Sequence, residues 1–150
     1  MHVIKGNRIL AVHPRRGAQA AVCDILARHG HACTHASTAQ KALERIETMR
    51  PGIVIIHCDL EDMPGVDLCA KIRARSDLRD VPVIMISERS DLSLRLKGFM
   101  AGAQKFLCEP VDEKELLAQV EAVAARARPG AKPRGIAKLI ERELKAGLLL

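Results

Sequence analysis

Four short apolar runs of this chain end on residues that could do chemistry. His13 and Pro14 follow RILAV, His57 follows IVII, Ser87 follows VIMI and Glu109 follows KFLC, while Asp59 lies two residues beyond His57. Imidazoles beside a carboxylate suit acid–base pairing, or a borderline ion such as Zn²⁺, better than Mg²⁺, which takes oxygen ligands. Asp59, His13, His57 and Glu109 lack a tight ligand motif such as HExxH, so a transition-metal site is the alternative reading and no metal the primary one. No Ser-His-Asp set, Gly-rich phosphate loop or catalytic carboxylate pair can be assembled from these residues, which favours a binding module over an enzyme and leaves no catalytic residue to name. His29, His31 and His35 straddle a helix end and a strand and are expected on the surface; Cys58 and Cys108 are expected as packing.

Positioning these groups needs a scaffold, and the pattern supplies one. Apolar runs at Arg8 to Val12, Ala32 to His35, Ile53 to Ile56, Val81 to Ile86 and Lys105 to Cys108 alternate with helical periodicity at about 17–28, 38–49, 65–75, 91–101 and 112–127. Alternation of this kind predicts an α/β fold with a five-stranded parallel sheet, doubly wound, in which chemistry collects at the carboxyl ends of the strands. Gly30 stops the first helix, Ser37 or Thr38 caps the second, Pro64-Gly65 opens the third, and Asp112 with Glu115 forms a capping box for the last. Residues 1–128 make this domain. Two prolines and two glycines between 129 and 135 read as a linker, and Ile136, Leu139, Ile140 and Leu144 recur at helical spacing in an amphipathic C-terminal helix over 136–150.

Composition narrows the function. With 150 residues and 48% hydrophobic content the chain builds one core, and with two Phe and no Trp or Tyr that core is aliphatic and offers no stacking platform for single-stranded nucleic acid. The net charge of +6 is spread out: residues 129–150 carry five Lys/Arg against two Glu, a net +3 that leaves only +3 elsewhere. Nucleic acid is therefore not the expected partner. Five widely spaced cysteines are an odd number, which reads as reduced thiols in a cytoplasmic protein and argues against a disulfide framework. No segment has the apolar length of a membrane span.

Four segments in order, RILAVHPRR, PGIVIIHCDLEDMPG, VPVIMIS and AGAQKFLCEPVDEKEL, resemble the receiver domains of two-component response regulators across about residues 7–127. The resemblance implies the flavodoxin-like (βα)₅ fold with the C-terminal helix as an addition. It also implies phosphoryl transfer to an aspartate, with carboxylates around Mg²⁺, a hydroxyl on the phosphoryl group and a balancing lysine. Here His13 and Pro14 stand for the two acids, His57 for the acceptor aspartate and Glu109 for the lysine; Ser87 alone matches, and Asp59 sits where the family offers a backbone carbonyl to the metal. Neither Mg²⁺ nor phosphorylation is expected, and Glu109 is expected to bond His57 or His13 and lock the strand ends.

The expected function is that of a pseudo-receiver in two-component or phosphorelay signalling, working through protein partners. Ser87 and Phe106 occupy the positions that couple pocket to surface in the resembled family. The expected working face comprises Arg95, Lys97, Lys105, Glu113 and Lys114 together with the tail residues named above, docking a partner or a second copy of the chain. Alternatives are a transition metal or small ligand held by His13, His57 and Glu109, and, last, phosphate accepted by His57.

Overall fold

A computed structural model describes residues 7–14, 16–89 and 91–126. The tail residues Ile136, Leu139, Ile140 and Leu144, the linker and the C-terminal helix lie outside the described residues. The chain runs β1 (Arg8–Val12), α1 (Arg16–Arg28), β2 (Ala32–Ala36), α2 (Ala39–Met49), β3 (Ile53–His57), α3 (Gly65–Ala74), a single 3₁₀ turn (Ser76–Leu78), β4 (Val83–Ser87), α4 (Leu92–Ala101), β5 (Lys105–Cys108) and α5 (Glu113–Arg126). All strand pairs are parallel, in the order β2-β1-β3-β4-β5.

Every residue of β3 and β4 is buried, the signature of strands covered on both faces. Successive side chains point to opposite faces. Leu10, Val12, Val54, Ile56 and Met85 join Ala42 and Ile46 of α2 and Leu68 and Ile72 of α3 in one aliphatic core. Ile9, Ala11, Ile53, Ile55, Ile84, Ile86 and Leu107 join Val22 and Leu26 of α1 and Leu116, Val120 and Val123 of α5 in a second. This division of helices between two faces makes the sheet doubly wound, with its strand order reversing between β1 and β3.

Side-chain caps fix where the helices begin. Thr38 Oγ1 accepts from the Lys41 amide at 3.1 Å, Asp91 Oδ1 from Leu94 at 2.9 Å and Asp112 Oδ2 from Glu115 at 3.0 Å. Asp62, in the loop after β3, accepts from the first two amides of α2, Ala39 and Gln40, both at 2.9 Å. That loop is thereby clamped to the start of α2. Gly30 adopts φ +88° just past α1, the left-handed conformation for which glycine stops a helix.

Arg73 of α3 works as a staple. Its guanidinium donates to the carbonyls of Leu78, Arg79, Val81 and Gly102 and to Oε1 of Gln104, which itself accepts from the Val83 amide at 2.7 Å. One side chain thus ties α3 to both connections that flank β4.

Three expectations are corrected. Cys23 and Cys33 form a disulfide, because α1 packs back on β2 and brings their Cα atoms to 5.3 Å across a separation of ten residues. His31 is buried, not superficial: its Nδ1 accepts from the Asn7 amide at 3.1 Å, and burial chiefly lowers its pKa. His29 and His35 are exposed as expected. β4 also begins two residues later than its apolar run, since the Val81 amide is spent on the Leu78 carbonyl and Pro82 has no amide to donate.

Candidate functional site at the sheet's switch point

Ligands of open parallel sheets bind outside the carboxyl ends of the strands where the order reverses. Here the order reverses between β1, which His13 follows, and β3, which His57 ends. Both backbones are pinned by continuing ladders: His13 N donates to the Ala36 carbonyl at 3.0 Å, Cys58 N to Ile86 at 2.9 Å and Glu109 N to Ser87 at 2.8 Å. Gly65 then lets α3 start directly against the end of β3. A β-carbon on it would lie 2.3 Å from the His57 carbonyl oxygen and 2.9 Å from Cys58 Cα.

Three of the sequence-predicted residues converge. Glu109 Oε1 lies 3.1 Å from His13 Nε2 and 2.7 Å from His57 Nε2, and the two imidazole centroids are 4.4 Å apart with their planes tilted by 53°. Both histidines are 4% exposed. The Asp59 amide donates to His57 Nδ1 at 3.0 Å, so the lone pair sits on Nδ1 and the proton of the neutral ring on Nε2. Although the 2.7 Å contact to Glu109 is short, it is not aligned as a hydrogen bond; among the described residues the buried His57 Nε2 has no aligned partner. It is a close polar contact and not a hydrogen bond.

The other predicted residues lie apart from this triad. Asp59 keeps only its backbone in the site, its carboxylate turning outward to accept from Arg89 at 3.3 Å. Pro14, half-buried, offers no polar side chain. Ser87 is fully buried, and its Oγ accepts from the Arg89 amide at 3.0 Å. Phe106 is half-buried against the α2/α3 core. On the expected working face Lys97 and Lys114 are exposed while Arg95 and Lys105 are half-buried, and Glu113 is engaged by Arg28 and His29. Met100, 73% exposed, adds an apolar contact point on α4 that sequence reading missed. Burial holds the Cys58 thiol up at about 12, as suits packing, whereas Cys108 is exposed, contrary to expectation.

Comparison with known proteins decides the family: residues 9–121 match the model of the response regulator receiver domain. The chain belongs to that family. This receiver domain is 30% identical over 122 residues to the response regulator MprA of Mycobacterium leprae, which covers 81% of the chain and 53% of MprA. It is 27% identical over 123 residues to the phosphate regulon transcriptional regulatory protein PhoB of Escherichia coli, covering 82% and 54%. The chain thus spans about half the length of the curated relatives it matches. Solved structures agree in fold: a CheY-like receiver domain protein from Methanospirillum hungatei superposes with a TM-score of 0.76 at 24% identity, over 82% of this chain and 97% of that one. The chemotaxis response regulator CheY4 of Vibrio cholerae does so with 0.75 at 21%, over 79% and 99%. Receiver domains are signalling modules of two-component systems that interact with partner proteins. Among the described residues no helix is long and apolar enough to cross a membrane.

The family implies Mg²⁺ at this crevice, and the donor set does not fit it. Mg²⁺ requires oxygen ligands in near-octahedral array. The groups that converge are two imidazole nitrogens and one carboxylate oxygen, and the Asp59 carboxylate is turned away.

Proposed function

We propose that this receiver domain is a pseudo-receiver: it takes up no phosphoryl group and signals through protein contacts. The observation that carries the reading is the position of Glu109, whose carboxylate lies against His13 and His57 where a receiver needs a cation facing acids. Two unit charges about 4 Å apart interact by roughly 4 kcal/mol at an intermediate dielectric, and with Glu109 the sign of that term at a phosphoryl oxygen is repulsive. The same contacts give the strand ends a substitute for a metal–phosphate cluster. Ser87 and Phe106 then act as packing, Ser87 already holding the Arg89 amide.

The working face is that of α4, β5 and α5, where Lys97, Lys114 and Met100 are exposed, and it docks a protein partner. On this reading the domain is not an enzyme and needs no cofactor for signalling. A cytoplasmic home completes the proposal.

Incubation with a small phosphodonor and Mg²⁺, followed by intact mass measurement, tests the reading. The expected spectrum shows the unmodified chain only. A phosphoryl adduct would overturn the proposal, and its loss in His57→Asn would move the acceptor to His57.

A further inference from the structure

We propose that His13 Nε2, His57 Nε2 and Glu109 Oε1 form a three-ligand site for a divalent transition ion of the Zn²⁺ class. The inference goes beyond the signalling reading and does not depend on it. One ligand atom from each residue falls within 4.8 Å of the others, and the carboxylate oxygen is 3.1 and 2.7 Å from the two nitrogens. Bonds of about 2.0–2.2 Å in tetrahedral array place ligands somewhat over 3 Å apart, so the site closes on an ion through side-chain adjustments of a few tenths of an ångström to about one ångström.

Chemistry and position agree with the class of ion. Two imidazoles and one carboxylate are borderline donors that select Zn²⁺ and its neighbours over Mg²⁺. Three protein ligands leave a fourth position for water, the composition of an open site. The histidines are 4% exposed, and His57 Nε2 is buried, turned toward this cluster and without an aligned hydrogen-bond partner among the described residues. The three ligands come from the ends of β1, β3 and β5, each anchored by the backbone, so the frame is rigid where the donors are not.

Coordination has a specific structural consequence. With Nε2 bound to the ion, the proton of neutral His57 must reside on Nδ1, where the Asp59 amide now donates. Occupancy therefore exchanges that hydrogen bond for the metal bond and releases the start of the β3–α3 loop. The metal-free pairing with Glu109 and the ion-bound state are two arrangements of one triad.

The test uses the full, reduced, chelator-treated chain and ZnCl₂ as the probe. Nitrogen-15 spectra of the imidazoles are expected to show His13 and His57 shifting with one equivalent of Zn²⁺, the His57 proton moving from Nε2 to Nδ1, and His29 and His35 unmoved. In calorimetry Glu109→Gln should weaken binding by at least about tenfold, while excess Mg²⁺ leaves it unchanged. Zn²⁺ that fails to bind, that shifts other histidines instead, or that binds Glu109→Gln as tightly as wild type overturns the site; the wild-type spectra decide even if the variant folds poorly. A phosphoryl adduct would refute the pseudo-receiver reading without touching this result, and absent Zn²⁺ binding would remove the site without touching that reading.

Discussion

The backbone N–H of Asp59 donates to Nδ1 of His57 at 3.0 Å, while the carboxylate of Asp59 turns away to Arg89. The residue thus acts on the site through its peptide and not through its charge. In metal-free protein near neutral pH the neutral His57 ring is expected to carry its proton on Nε2, read directly in long-range proton–nitrogen spectra. Asp59→Ala keeps the amide, so the tautomer should persist and stability should change by no more than about 0.5 kcal/mol, the ordinary worth of an exposed pair. A ring protonated on Nδ1 without metal, or a tautomer lost in Asp59→Ala, would contradict the arrangement.

Among the described residues Gly65 is the glycine whose missing side chain builds the site. The atoms that an added β-carbon would meet, the His57 carbonyl oxygen at 2.3 Å and Cys58 Cα at 2.9 Å, are backbone and cannot swing aside. Gly65→Ala should therefore displace α3 from β3 and cost about 2–4 kcal/mol in denaturant unfolding, in the range of severe overpacking. Gly52, whose nearest such contact is 3.7 Å, is the control and should tolerate alanine with a far smaller loss.

Much of this was legible in the sequence because the decisive terms are local. Each central strand is an apolar run bounded by a turn or a Pro, and residues that follow a parallel strand must stand at one edge of the sheet, so His13, His57, Ser87 and Glu109 could be placed there together. Whether Glu109 meets one imidazole or both depends on side-chain torsions that no spacing encodes; it contacts both. The Cys23–Cys33 bridge, the burial of His31 and the reach of Asp62 to α2 arise from packing between elements distant in the chain. A count of cysteines or an isolated polar residue carries no signal of such neighbours. The aim of Asp59 follows a related rule: no spacing encodes that the turn after His57 presents its amide to the site.

Arg73 makes its hydrogen bonds to carbonyl oxygens and to an amide oxygen rather than to a carboxylate. Partial burial lowers its pKa from the usual guanidinium value, yet it stays charged at any working pH. Lysine offers one compact ammonium in place of a planar fork and cannot reach both flanks of β4. Arg73→Lys should cost about 2–4 kcal/mol, because several part-buried carbonyls lose their donor at once. Gly102→Ala should also destabilise, since Gly102 adopts φ +113° and its β-carbon would fall 2.6 Å from Arg73 Nε. If the two substitutions act on this one staple, the double variant will lose less than the singles added together in a denaturant cycle.

Asp62 gives the fold a dependence on acid. Its carboxylate accepts from the Ala39 and Gln40 amides, and the bond from Ala39 is the main cause that holds its pKa below the usual carboxylate range. A carboxyl whose folded pKa is depressed binds protons more readily in the unfolded chain, so stability rises with pH through this window. Its contribution is fully present above the unfolded pKa and is lost as the pH falls through the lower folded value. Asp62 is exposed, so solvent limits the size of the effect. Asp62→Asn should flatten the stability profile below about pH 4 and leave its shape near neutrality unchanged, as read from urea unfolding at stepped pH. Because the clamp joins the β3–α3 loop to the start of α2, the variant should also speed hydrogen exchange at the Ala39 and Gln40 amides. Equal acid slopes in variant and wild type would show that Asp62 holds no preferential charge in the folded state.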